Sequence, residues 1–191
     1  MGGERHLDER LVLRAPWLFR HQAKLLLATL PLGSRVRERV AKLLLARAFE
    51  ALAREDYEVI MLTYDPGVEI RIIGDDAYAA GFAERYHGHQ GYRDVMRVWR
   101  TEWLNPRFTP DELIDLGDRW IVRMTLSGRG ARSGAEVTQT CGYVQDWVDG
   151  LIVHMDFYWD WSACVELCGL GDGSASTIST GVSAMSANLE L

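Results

Sequence analysis

Residues 135–159 read AEVTQTCGYVQDWVDGLIVHMDFYW. Two runs rich in β-branched and aromatic residues, 135–147 and 150–159, flank Val148-Asp149-Gly150. Asp-Gly between two such runs is a strong short-range hairpin signal, because both turn positions need φ > 0. A third run, 110–127, reads as another long strand. The Gly-rich segment GRGARSG (128–134) joins it to the hairpin. That segment opens no helix, so a flexible connection fits it better than a phosphate-binding loop.

Upstream, Val68–Ile73 alternates with the period of a strand, after an Asp65-Pro66-Gly67 turn. Before it the period is helical. Pro16 suits the first position of a helix over 16–30, and Ser34 suits the N-cap of a second over 35–53. A third helix is expected over 56–64. Residues 74–90 read as irregular, and residues 92–104 as a helix with Tyr92, Val95, Met96, Trp99 and Trp103 on one face. A short helix over 161–168 follows Asp160, its natural N-cap. Residues 1–15 read as frayed and residues 171–191, Gly/Ser/Ala/Thr-rich, as a disordered tail. This order of elements specifies an α+β protein: helices on one face of a curved, antiparallel-rich mixed sheet that encloses a cone. The divisions are a helical extension (1–33), a cone domain (34–170) and the tail (171–191).

Net charge is −6, which argues against a nucleic-acid footprint. The charge is uneven. Residues 1–50 hold ten Lys/Arg and five Asp/Glu, whereas residues 51–191 hold eleven and twenty-two. The three cysteines, Cys141, Cys164 and Cys168, have no zinc-ligand spacing, and a reducing, cytoplasmic setting fits them. They read as small buried hydrophobes. The N-terminus is too charged for a signal peptide, and no apolar run is long enough to span a bilayer.

Four stretches carry a family resemblance. They are AFEALAREDYEVIMLTYDPGVEIR (48–71), YHGHQGYRDVMRVW (86–99), DELIDLGDRWIVRMTLSGRGARSGAEV (111–137) and DGLIVHMDFYWDWSACVELCGL (149–170). In this order and spacing, residues 46–170 resemble a SnoaL-like domain of the nuclear transport factor 2 superfamily. The resemblance implies a six-stranded curved sheet forming a cystatin-like α+β barrel, a deep pocket, no cofactor and usually a homodimer. Isomerase members use an Asp base with Tyr and Asp oxyanion donors. Those roles fall here at Ile72, Ala48 and Gly142, which cannot fill them. The Asp-Arg-Asp set of epoxide-hydrolase members falls at Thr138, Thr140 and Phe157, equally unsuited.

The same resemblance turns Thr138 and Thr140 inward, and on the last strand Met155, Phe157 and Trp159. A register shifted by one would instead turn in His154, Asp156 and Tyr158. His87 and His89 flank Gly88. No third ligand accompanies them, so no metal site is expected. Candidate catalytic residues are therefore His87, Tyr86, Thr138 and Thr140. Candidate ligand-binding residues are Tyr64, Trp99, Trp103, Met155, Phe157 and Trp159. The functions left open are a cofactor-free isomerase, cyclase, dehydratase or hydrolase of a small apolar molecule, and a non-catalytic binding or dimerisation module. The basic N-terminal helices, with Trp17 and Phe19, are expected to pack on the cone or swap between protomers rather than lie on a membrane. Otherwise Leu25, Leu26, Leu27 and Leu30 would be exposed.

Overall fold

A computed structural model describes residues 5–169. Residues 171–191, expected as a tail, lie outside the described span. Helices α1 (Leu7–Arg14), α2 (Pro16–Thr29), α3 (Arg35–Ala53) and α4 (Tyr57–Met61) precede strand β1 (Tyr64–Ile73). Then come α5 (Asp75–Ala79), β2 (Arg85–His87), α6 (Gly88–Glu102), β3 (Trp103–Asp115), β4 (Arg119–Gly130), β5 (Glu136–Val148), β6 (Leu151–Tyr158) and α7 (Trp161–Leu167). The six strands form one sheet in the order β2-β1-β6-β5-β4-β3. Only the β1–β6 pair is parallel. The expected α+β cone is the observed fold.

The Asp-Gly turn behaves as its chemistry requires. Asp149 and Gly150 both have positive φ, 52° and 80°, the two-residue primed turn that matches strand twist. A Cβ on Gly150 would lie 2.5 Å from the Arg20 carbonyl oxygen and 2.7 Å from the Lys24 nitrogen, so helix α2 rests directly on this turn. Gly150→Ala combines a left-handed backbone with a backbone clash. It is expected to cost about 2–4 kcal/mol, read as a lower urea midpoint.

Several boundaries differ from the sequence reading. The run 110–127 is two strands, turning over Leu116–Asp118. Asp115 makes this turn by accepting the Gly117 N–H at 2.9 Å, and Gly117 takes φ 101°. Trp103 leaves the helix and begins β3 in extended conformation. Residues 74–90 hold α5 and β2. Asp65-Pro66-Gly67 is an irregularity within β1, where the register to β6 shifts between Tyr64 and Glu69. Residues 7–14 are helical because the His6 N–H donates to Glu9 at 2.8 Å, closing the first turn. Asp160 caps α7 as expected, accepting the Ser162 N–H at 3.0 Å.

The N-terminal helices are tied to the cone by charge as well as apolar contact. Arg5 donates to both oxygens of Asp56 at 2.5 and 2.8 Å, and Arg54 to Glu9 at 2.7 Å. Lys24 pairs with Asp149. Arg37, 2% exposed, uses every donor of its guanidinium. It grips Asp115 with two bonds of 2.6 and 3.0 Å and reaches the carbonyls of Leu27, Leu30 and Gly117. The main core fills the concave face of the sheet. A smaller cluster of Ile114, Ile121, Val144, Tyr158 and Cys164 lies under α7 on the convex face.

Candidate functional site

The concave face encloses a cavity of about 90 Å³ between the sheet, α3 and α6, with Phe19 of α2 on its wall. Strand parity decides what faces it. Across β5–β6, Tyr143 opposes Phe157 and Gln145 opposes Met155. Opposed residues share a face, and all four line the cavity. Thr138 and Thr140 are therefore on the convex side, exposed, opposite Ser127 and Thr125. This corrects the inward placement of the two threonines. The cause is a β-bulge. A bare two-residue turn would put Thr140 opposite Trp159, but the register shifts between Asp146 and Trp147. The extra residue on β6 moves every later partner by one.

The other expected catalytic residues are no closer. His87 is exposed on β2 opposite Glu69. The Tyr86 hydroxyl accepts the Ala83 N–H at 2.8 Å. None of His87, Tyr86, Thr138 and Thr140 lines the cavity, and the four are not brought together. His89 instead donates from Nε2 to the Tyr64 carbonyl at 3.0 Å. The alternative row also faces outward. Asp156 bonds Arg71 through both oxygens and pairs with His154 at 2.7 Å, while Tyr158 is covered by α7. Of the positions carried over from the family's chemistries, Ala48, Ile72 and Phe157 are apolar wall. Gly142 is on the convex face, where a Cβ would meet the Trp161 ring at 2.6 Å.

Of the expected ligand-binding set, Tyr64, Trp99, Met155 and Phe157 line the cavity. Trp103 and Trp159 do not. They sit behind Trp99, which stacks on Trp159 with ring centroids 5.1 Å apart and planes 5° apart. Phe82, Phe108 and Phe157 meet Trp99 edge-on. Large aromatics prefer such offset and edge contacts, and together they plug one end of the cone.

The polar groups of the wall lie at the other end. Gln145 donates from Nε2 to the Tyr64 hydroxyl at 3.1 Å, and that hydroxyl in turn points at the Met155 sulfur, 3.4 Å away. Tyr92 packs on Tyr64 with centroids 5.2 Å apart, and Tyr143 stacks on Phe49 at 6.4 Å. Trp120 and Trp147, 4.8 Å apart, complete the wall, and their buried indole N–H groups have no acceptor among the described residues. Among the described residues, no Asp, Glu, His, Lys or Arg lines the cavity. No group of three His, Cys, Asp or Glu among them could hold a metal ion. The sequence reading missed Tyr143 and Gln145 because it turned their strand face outward. It had no signal for Phe19.

Burial holds Tyr64, Tyr92 and Tyr143 well above the ordinary phenol range, because the phenolate would lose its hydration. Mutual proximity adds to this for Tyr92 and Tyr143. The same desolvation pushes the Cys141 thiol up to about 12. All three phenols are neutral donors at physiological pH. Unfolded tyrosines titrate near about 10, so the folded state binds more protons above that pH. This contribution to stability is complete below about pH 10 and is lost as pH rises further. A spectrophotometric tyrosinate titration is expected to be biphasic, with these three ionising only as the protein unfolds.

Residues 45–155, more than half of the chain, match the model of the SnoaL-like domain. Among solved structures, TerC, co-crystallised with polyporic acid, is 24% identical with a TM-score of 0.56; the match covers 68% of this chain and 97% of TerC. An NTF2-like protein of unknown function from Burkholderia pseudomallei is 24% identical, with a TM-score of 0.56 and coverage of 66% and 95%. An NTF2-like protein from Burkholderia thailandensis is 25% identical, with a TM-score of 0.54 and coverage of 66% and 95%. No curated protein matches the chain. The matched span runs from within α3 into β6, the elements that build most of the cavity wall, and the chain belongs to the SnoaL-like domain family.

Proposed function

We propose that this protein binds a small, neutral, largely apolar molecule carrying one hydrogen-bond acceptor, and does so without acid–base chemistry. The observation that carries this reading is the state of the Tyr64 hydroxyl. Its lone pair is occupied by Gln145, and its proton is directed at the Met155 thioether. A thioether is a weak acceptor, so a ligand carbonyl or ether oxygen would capture that proton. The rest of the wall excludes a charged ligand, because an ion buried without a counter-charge is costly. Proton abstraction needs a base within hydrogen-bond reach of the substrate, and beside the non-titrating Thr63 and Gln145 the described wall offers only phenols held neutral. The cavity of about 90 Å³ is smaller than the about 150 Å³ that holds a benzene, so a one-ring ligand requires the wall to give. The half-buried Phe19 and Phe49 are positioned to yield the difference.

Calorimetry with acetophenone and benzoate tests the reading. Acetophenone is expected to bind and benzoate not to. In deuterium oxide, the methyl protons of bound acetophenone are expected to exchange no faster than in buffer. Exchange accelerated by the protein, and lost in Tyr64→Phe, would replace the binding role with enolisation chemistry.

A further inference from the structure

The N-terminal helices pack on the cone through one face and leave the opposite face apolar and uncovered. On α2, Phe19, Ala23 and Leu27 turn inward, while Trp17, Leu18, His21 and Leu25 turn outward; Trp17 is 71% and Leu25 55% exposed. On α1, Leu7 and Leu11 are 77% and 64% exposed, one turn apart, beside the exposed Arg10 and Arg14. The expectation that packing would bury this segment's leucines is thus met on one side only. Arg10 and Arg14 have no ion-pair partner among the described residues, and neither do Arg35 and Arg39 at the exposed start of α3. Helix α2 contains no acidic residue at all.

We propose that the outer face of α1 and α2 docks on the surface of an anionic lipid bilayer, lying on it without crossing it. Among the described residues no helix is long and apolar enough to cross. Charge selects this occupant. Helices α1 and α2 hold four Lys/Arg against two Asp/Glu, with Arg10 and Arg14 exposed, whereas residues 51–191 carry a net −11, so a negative surface favours approach through the helices. Exposed Trp and Leu beside Arg are what an interfacial helix inserts and what it holds against headgroups. A second copy meeting this face isologously would set two faces of the same sign, each with Arg10 and Arg14 exposed, against each other. Residues 171–191 contain few large apolar side chains to cover it. Helix α2 then has lipid on one side and, through Phe19, the cavity wall on the other.

Co-sedimentation of the full chain with vesicles tests this. Binding is expected to phosphatidylcholine vesicles containing phosphatidylglycerol, to fall with added salt, and to be weak on phosphatidylcholine alone. Each arginine removed in Arg10→Gln and Arg14→Gln is expected to lower partitioning about fivefold. The triple variant Leu11→Gln, Trp17→Gln, Leu25→Gln, all at exposed positions, is expected to abolish it with an unchanged melting temperature. Absence of pelleting overturns the proposal, as does equal pelleting of the variants. A wild type that runs as a dimer while the triple variant runs as a monomer also overturns it, assigning the face to self-association. Acetophenone binding by the triple variant is expected to persist, so failure here is distinct from failure of the cavity.

Discussion

Arg37→Met is expected to lower stability by about 3–5 kcal/mol, the largest single-residue loss outside the aromatic core. Methionine fills much of the stem volume but supplies no donor. Asp115 then keeps its charge, 18% exposed at the side chain, without its partner, and three carbonyls of two chain segments lose their hydrogen bonds. Removing one member of a buried pair costs more than the pair contributes, because the other remains desolvated. The guanidinium also joins the end of α2, the start of α3 and the β3–β4 turn, so the loss falls on the docking of the N-terminal helices. Urea unfolding is expected to show a lower midpoint. The double variant Arg37→Met, Asp115→Leu is expected to recover much of the loss, because no charge is left buried.

Trp99→Ala is the second large effect, about 3–5 kcal/mol. Trp99 is 2% exposed and touches Phe82, Trp103, Phe108, Phe157 and Trp159 by its ring. It is at once the plug of the cone and a wall of the cavity. Trp103, Phe108 and Phe157 are held on strands β3 and β6 and cannot close over the vacated volume, so the variant is expected to keep its fold with an enlarged cavity. Two-ring ketones excluded from the wild type are then expected to bind, and their thermal shift measures it. A variant that stays folded yet binds nothing larger would show that the rings collapse inward.

The fold was legible because its strongest local signals agree with the global structure. Asp149-Gly150, the Ser34 cap and the change of period at Val68 each specify one conformation, and the four family-like stretches fix their order. The β3–β4 turn was not legible, because Leu116-Gly117-Asp118 interrupts an otherwise continuous strand pattern and depends on the Asp115 side chain. The site was half legible. Tyr64, Trp99, Met155 and Phe157 follow from periodicity and resemblance. Tyr143 and Gln145 do not, because one inserted residue near Val153 reverses the pairing of β5 against β6. The bulge breaks alternation on β6, where Ile152, Met155 and Phe157 all line the cavity, but the uniformly apolar run Leu151-Ile152-Val153 does not show where the break falls. Phe19 depends on the docking of α2, which is set by contacts more than a hundred residues apart in sequence, such as Lys24 with Asp149.

The hydrogen bond to the ligand is most directly measured by the infrared carbonyl stretch of acetophenone bound to the wild type, to Tyr64→Phe and to Gln145→Leu. A band shifted to lower frequency than in cyclohexane is expected for the wild type, returning toward the cyclohexane position in Tyr64→Phe. Gln145→Leu, which removes the donor that polarises Tyr64, is expected to give a smaller shift. A wild-type band at the cyclohexane position, or the same shifted band in Tyr64→Phe, would contradict an acceptor-bearing ligand held by Tyr64.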